Sequence, residues 1–163
     1  MDEMHSTMNL SGKLSSDLNS QHLRLLDVVK NAAGVQGCVV YLVGGSVRDL
    51  LLDMPISDFD LVVEGEAIQL GEELIRKNGG RLVAHRRFGT ATWHLPAELA
   101  RLADLNALDL ATARTESYRE PSALPEVVQS NIRLDSARRD FAINTLAVPL
   151  NGKRAGELCD YWG

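Results

Sequence analysis

The stretch that decides the fold is CVVYLVGGSVRDLLLDMPISDFDLVV, residues 38–63. Cys38 to Val43 is a short apolar run rich in valine, the composition of a buried strand. It stops at Gly44-Gly45, where the chain can turn tightly. Ser46 to Leu52 reads as a short helix opening directly from that turn. Phe59 to Val63 reads as a second strand, broken by Glu64-Gly65. Asp58 and Asp60 alternate with Phe59 and Leu61, so the apolar pair faces a core and the two carboxylates face an open surface.

Outward from this unit the periodicity continues. Upstream, Leu23, Leu26, Val29 and Ala33 recur at helical spacing, with Gly34 as the expected C-cap. Met1 to Gln21 is polar and rich in Ser and Asn, and reads as a flexible leader to one domain over 22–163. Downstream, Ala67, Leu70, Leu74 and Ile75 mark one face of a helix closed by Asn78-Gly79-Gly80. Arg81 to Ala84, Thr90 to Leu95 and Leu108 to Thr112 read as strands. Thr115 to Asn131 holds Pro121 and Pro125 and little periodicity, which predicts a long mobile loop. Asp135 reads as the N-cap of a helix from Ser136 to about Leu146, and Ala147 to Leu158 as a hairpin around Asn151-Gly152. The expected fold is α/β (α+β): a mixed or antiparallel sheet of about five strands with helices packed on it.

The 163 residues suffice for one domain with a sizeable core. Hydrophobic content of 45% and charged content of 24% are ordinary for a globular protein, and the apolar runs fall far short of a membrane span. Asp2 and Glu3 stand where a secretory signal needs basic residues. Cys38 and Cys159 lack metal-ligand spacing, so reduced thiols and a cytoplasmic location are expected. The net charge of −5 argues against a strong general binder of nucleic-acid backbone, although clustered carboxylates awaiting metal give the same sum.

Three groups of residues can carry chemistry. In Gly44-Gly45-Ser46-Val47-Arg48-Asp49 the turn allows close approach of a ligand, the helix start favours an anion, and Arg48 can fork onto phosphate. A plain turn with Arg48 paired to Asp49 is the competing reading. Asp58 and Asp60 on one face suit Mg²⁺, which shares its shell with water and substrate phosphates; two solvated acids are the alternative. Asp109, between Leu108 and Leu110, can join them if its strand is a neighbour. Arg138-Arg139-Asp140 with Asn144 one turn on can face a ribose or phosphate, or be a solvated helix face.

Taken in order, Val43-Gly44-Gly45-Ser46-Val47-Arg48-Asp49, Asp58-Phe59-Asp60, Phe88-Gly89-Thr90-Ala91, Asp109 to Arg114 and Arg138-Arg139-Asp140-Phe141-Ala142-Ile143-Asn144 resemble the head domain of the tRNA nucleotidyltransferase and bacterial poly(A) polymerase family, within the DNA polymerase β nucleotidyltransferase superfamily. The match runs from about Cys38 to Gly163. The resemblance implies the nucleotidyltransferase head fold and template-independent addition of CMP or AMP, from CTP or ATP, to the 3′ end of tRNA or another RNA. It implies Asp58 and Asp60 as ligands in a two-ion Mg²⁺ scheme, with Asp109 less securely as the third acid. It further implies Gly44, Gly45, Ser46 and Arg48 at the triphosphate, and Arg138, Arg139, Asp140 and Asn144 on the nucleotide. The loop from Thr115 to Asn131 resembles a flexible loop of such heads.

The chain departs from that pattern at Asp53, where a Gly usually closes the helix, and at Ala142 and Thr145, where Thr and Ala are usual. Family members continue past Gly163 into a neck, body and tail that read the base and hold tRNA, so a fragment of reduced activity is one expectation. A nucleotide-binding or regulatory module is the reading from a different class. A Rossmann-type oxidoreductase fits poorly, because the diglycine lacks a third glycine.

Overall fold

The computed structural model describes residues 7–139 and 144–162. Strand β1 (Val39–Val43) runs into the diglycine turn, helix α3 (Gly45–Leu51) leaves it, and β2 (Asp60–Glu64) returns antiparallel to β1. After helix α4 (Ala67–Asn78), β3 (Arg81–His85) and β4 (Thr90–His94) form an antiparallel pair. Helix α5 (Ala97–Ala103) leads to β5 (Ala107–Thr112), which pairs antiparallel with β4 and parallel with β2. With β8 (Ala147–Pro149) on the far side of β1, the sheet is mixed and six-stranded, in the order β3-β4-β5-β2-β1-β8.

One face of this sheet is the core. Val40, Leu42, Leu61, Val63, Trp93, Leu108 and Leu110 point into it and meet Leu25 and Val29 of helix α2 (Ser20–Gln36) and Leu70 and Leu74 of α4. The alternation predicted around Asp58 and Asp60 is therefore real, with Phe59 and Leu61 inward. Trp93 is wholly buried, and its Nε1 donates to the Gly79 carbonyl at 3.0 Å, tying β4 to the end of α4. On the other face a smaller cluster of Tyr41, Val43, Val62, Ala113, Ile132, Ala147 and Cys159 lies under helix α6 (Ile132–Ala137). Glu64 accepts a hydrogen bond from the Ile132 amide at 3.0 Å and fixes the start of α6 to β2.

Several expectations are corrected. The chain ahead of α2 is no loose leader from Thr7 onward: residues Ser11–Asp17 form helix α1. Leu10, Leu14 and Leu18, spaced four apart, bring one side of that segment against the main core, with Leu10 and Leu18 buried. Asn19 then caps α2 by accepting from the His22 amide at 2.8 Å. Helix α2 runs through Gly34 and ends at Gly37, whose φ of 67° supplies the left-handed cap. Residues 115–131 are not one irregular loop. Strands β6 (Arg114–Ser117) and β7 (Glu126–Gln129) pair as a small antiparallel ribbon, too exposed to leave a strong apolar alternation in the sequence.

The helix expected over 136–146 is displaced. Asn131, not Asp135, is the N-cap and accepts from the Leu134 amide at 3.0 Å. Helix α6 ends at Ala137, and residues 140–143 lie outside the described residues. After β8 the chain returns in a wide loop rather than a tight hairpin at Asn151-Gly152, closing with a single bridge between Ala147 and Cys159. Asp53, at the end of α3, does adopt a left-handed φ of 55°.

Because Trp93 fills the junction of α4 and β4 and holds a buried hydrogen bond, Trp93→Ala is expected to cost about 3–5 kcal/mol. Urea unfolding of the variant beside the parent checks this, and a loss under about 1 kcal/mol would contradict the packing described.

Candidate active site

The site lies on the second face of the sheet, where β2 and β5 run side by side. Their parallel register places Asp60 opposite Asp109. Parallel neighbours are about 4.8 Å apart, so two carboxylates from distant parts of the chain become adjacent. Asp58 lies just ahead of β2 and is exposed. Thr92 of β4, opposite Asp109 on the other side, donates its hydroxyl to Asp109 Oδ1 at 2.6 Å. That bond fixes the rotamer of the Asp109 carboxylate. These residues, with Val43, Val62, Thr90, Ala111 and Arg139, line a cleft of about 360 Å³.

The diglycine turn lies at the neighbouring end of β1. Gly44 has φ 66° and ψ −128°, a conformation that side chains other than glycine's rarely allow. Its amide donates to the Leu146 carbonyl at 2.9 Å, and its carbonyl accepts from the amides of Val47 and Arg48 at 3.1 Å. Arg48 folds back over Gly45, with Nη2 3.4 Å from where a Cβ on Gly45 would stand. The guanidinium is held by Asp49, with Nε to Oδ1 at 2.9 Å and Nη2 to Oδ1 at 2.8 Å. This ion pair is partly exposed, so it is weak enough for a phosphate to displace. Ser46 is buried and its hydroxyl donates to the Asp58 carbonyl at 2.6 Å. It thereby joins the turn to the acidic strand instead of presenting a free hydroxyl.

Arg138 and Arg139 do not form a solvated face. Both guanidinium groups converge on Asp135, which is fully buried. Arg138 reaches Oδ1 at 3.1 and 3.2 Å, and Arg139 reaches Oδ2 at 3.1 and 3.2 Å. The Arg114 amide also donates to Asp135 Oδ1 at 3.1 Å. Arg138 further pairs with Glu116 of β6 at 3.4 Å, so the cluster spans α6 and the ribbon. Arg139 is left at the cleft wall, half-buried and oriented. Asn144 lies beside the diglycine turn, its carbonyl oxygen 3.7 Å from the Cβ position of Gly44, and is not part of α6. Asp140 lies outside the described residues.

The Asp60 carboxyl is pushed above the usual carboxylate range. Burial in the cleft wall is the main cause; Arg139 opposes it, and the charges of Asp109 and Asp58 add to it. Asp60 still reaches solvent through the cleft mouth, which is where a ligand would enter. A carboxylate destabilised by two like charges marks a site that gains from a cation. Among the described residues no three His, Cys, Asp or Glu side chains converge closely enough to enclose a metal ion. The donor set nevertheless fits Mg²⁺, which takes one or two carboxylates and completes its shell with water and substrate phosphate.

Two of the residues that organise this cleft, Asp135 and Thr92, escape a reading of the sequence as site residues. Asp135 looks like a helix cap, since nothing local reveals that two arginines fold back onto it. Thr92 is visible only as part of the Thr90, Thr92, His94 alternation.

A mixed sheet presenting neighbouring acids beside a glycine turn, with arginines on the wall, is the architecture of a nucleotidyltransferase domain. Residues 40–163 match the family model described as Poly A polymerase head domain. The chain belongs to that family. It is 39% identical over 158 residues, 97% of its length, to an A-adding tRNA nucleotidyltransferase of Halalkalibacterium halodurans, and covers 35% of that protein. It superposes on a CCA-adding enzyme in its apo form with a TM-score of 0.82 at 38% identity, covering 96% of this chain and 35% of the other. For the Thermotoga maritima CCA-adding enzyme complexed with tRNA the TM-score is 0.76 at 34% identity, over 96% and 33% of the two chains. For a CCA-adding enzyme complexed with CTP it is 0.76 at 35%, over 96% and 32%. The chain thus spans about a third of the length of these relatives.

Two outcomes are expected. Asp135→Asn removes the charge that balances two half-buried arginines and should cost about 3–5 kcal/mol in chemical denaturation. A variant as stable as the parent would show that Asp135 organises nothing. For Asp60 the raised carboxyl binds its proton more tightly in the fold than in the unfolded chain. Metal-free stability therefore falls as pH rises from the ordinary carboxylate range through the raised value. Asp60→Asn should melt above the parent at pH 7 without metal, with the gap closing toward pH 4. Parallel melting curves would contradict the shift.

Proposed function

We propose that this chain is the catalytic head of a template-independent RNA nucleotidyltransferase. It transfers CMP or AMP from CTP or ATP to the 3′-hydroxyl of a tRNA or similar RNA and releases pyrophosphate. The observation that carries this reading is the register of Asp60 with Asp109 on parallel strands, next to the Gly44-Gly45 turn. The kinship with A-adding and CCA-adding enzymes, one in complex with tRNA and one with CTP, supports the choice of substrates.

In this reading the triphosphate lies against the turn, where Gly44 allows close approach of the main chain. Arg48 exchanges Asp49 for a phosphate oxygen, and the charge on phosphate makes that contact the stronger one. Arg139, oriented by Asp135, adds a second fork from the cleft wall. Asp58 and Asp60, with Asp109 beside them, would hold Mg²⁺. When bound, Mg²⁺ neutralises the triphosphate and lowers the pKa of the attacking hydroxyl. The 3′-hydroxyl then attacks the α-phosphorus in line, its bond to phosphorus forming as the bond to pyrophosphate breaks. The protein supplies position and charge. Base choice and the grip on the rest of the RNA are assigned to the part of the relatives' length that this chain does not span. The buried, unpaired Cys38 and Cys159 fit a cytoplasmic enzyme. No helix among the described residues is long and apolar enough to cross a membrane.

In the intact enzyme carrying this head, Asp58→Ala and Asp60→Ala should each reduce nucleotide incorporation by at least about a thousandfold, roughly 4 kcal/mol of transition-state stabilisation. Near-normal incorporation by either variant would end the reading. For the chain itself, Mg²⁺ with ATP at about a hundred times its Kd should stabilise the fold by about 2.7 kcal/mol. That is an upward shift of roughly 5–10 °C in melting temperature. The shift should vanish in Asp60→Ala.

A further inference from the structure

We infer that the uncovered face of β3 and β4, beyond Asp109, seats the 3′-terminal segment of the acceptor, a single-stranded RNA end. This surface presupposes the transfer reaction proposed for the cleft. The direction of the side chains establishes which face is open. Leu82 presses on Gly71 of α4, and Trp93 is buried in the same layer. Their neighbours along each strand must point the other way. Arg81 and His85 on β3, with Thr90, Thr92 and His94 on β4, therefore share the face that carries Asp109, as the Thr92 to Asp109 hydrogen bond requires. Helix α6 covers the β1, β2 and β8 end of this face, over Tyr41, Val62 and Ala147. Among the described residues no helix packs on the same side of β3 and β4.

Charge identifies the occupant. The chain is acidic, with a net charge of −5, yet β3 and β4 contain no acid. Arg81 stands opposite His94, and His85 opposite Thr90, on either side of the row that leads from Thr92 to Asp109. Arg81 and His85 are exposed and His94 is half-buried. Among the described residues none of the three side chains makes a hydrogen bond or ion pair. Most other arginines of the chain are paired, so a free Arg81 beside two donor-bearing rings is complementary to a phosphodiester backbone.

Geometry sets the side. The diglycine turn lies on the β1 side of Asp60, so the leaving pyrophosphate departs there. In-line attack brings the acceptor oxygen from the opposite direction, across Asp109 toward β4. Strand β3 is two strands beyond β5, about 10 Å away. Arg81 is then placed for the phosphates behind the terminal nucleotide rather than for the reacting one.

The test is an NMR titration of the ¹⁵N-labelled chain, holding Mg²⁺ and a non-hydrolysable ATP analogue, with a short single-stranded oligoribonucleotide bearing a 3′-hydroxyl. Amide shifts are expected at Arg81, His85, Thr90, Thr92 and His94. Arg81→Glu should weaken RNA binding about tenfold and lower the slope of log K against log salt by about 0.7 for each phosphate no longer neutralised. It should leave the affinity for Mg²⁺ with ATP unchanged, and Arg81→Lys should retain most of the RNA affinity. A chain that binds the ATP analogue but no RNA overturns this surface alone. So does one whose RNA shifts fall elsewhere, or an Arg81→Glu variant with parental RNA affinity. A chain that binds no Mg²⁺-ATP overturns the cleft reading and this surface with it.

Discussion

The parallel pairing of β2 with β5 is the constraint on which the rest depends. Two strands can run parallel only if the chain crosses over between them. Here the crossover contains α4, the β3-β4 pair and α5, so nearly a third of the domain exists to carry the chain from Glu64 back to Ala107. What the crossover achieves is local: Asp60 and Asp109 stand side by side at the same level of the sheet. Placing like charges together is unfavourable, and the fold bears that cost in its interior-facing cleft, as the raised Asp60 carboxyl records.

Around this pair, polar side chains act as struts between elements rather than as isolated surface groups. Ser46 binds the main chain at Asp58 and so couples α3 to the start of β2. Thr92 couples β4 to Asp109. Glu64 couples β2 to the start of α6, and Asp135 gathers Arg138, Arg139 and the Arg114 amide. Each strut is a side chain whose partner is remote in sequence or folded back within a helix. Together they hold the acids, the turn and an arginine in one orientation, the condition for catalysis by positioning.

The two faces of the sheet divide the labour. The helix-covered face buries Trp93 and the leucines and supplies stability. The other face is only partly covered, and its open portion changes from acidic at β2 and β5 to basic at β3 and β4. A negative net charge therefore says little about how charge is distributed where a polyanion would meet the protein.

The sequence by itself determined the strand-turn-helix-strand unit from Val39 to Glu64, the inward and outward alternation around Asp58 and Asp60, and the α4 and β3 to β5 segments. These follow from periodicity and from glycine's freedom, which are local properties. The short Val43 to Asp49 motif and the Asp58, Asp60 and Arg138, Arg139 pairs were legible for the same reason. Only the tertiary structure decided that Asp109 faces Asp60, that Asp135 is the buried anchor of two arginines rather than a helix cap, and that Ser46 is spoken for by Asp58. It also decided that the segment before α2 is a packed helix and that residues 114–129 fold as a ribbon. Each of these depends on a partner far along the chain or on how deeply a residue is buried, and no local pattern encodes either.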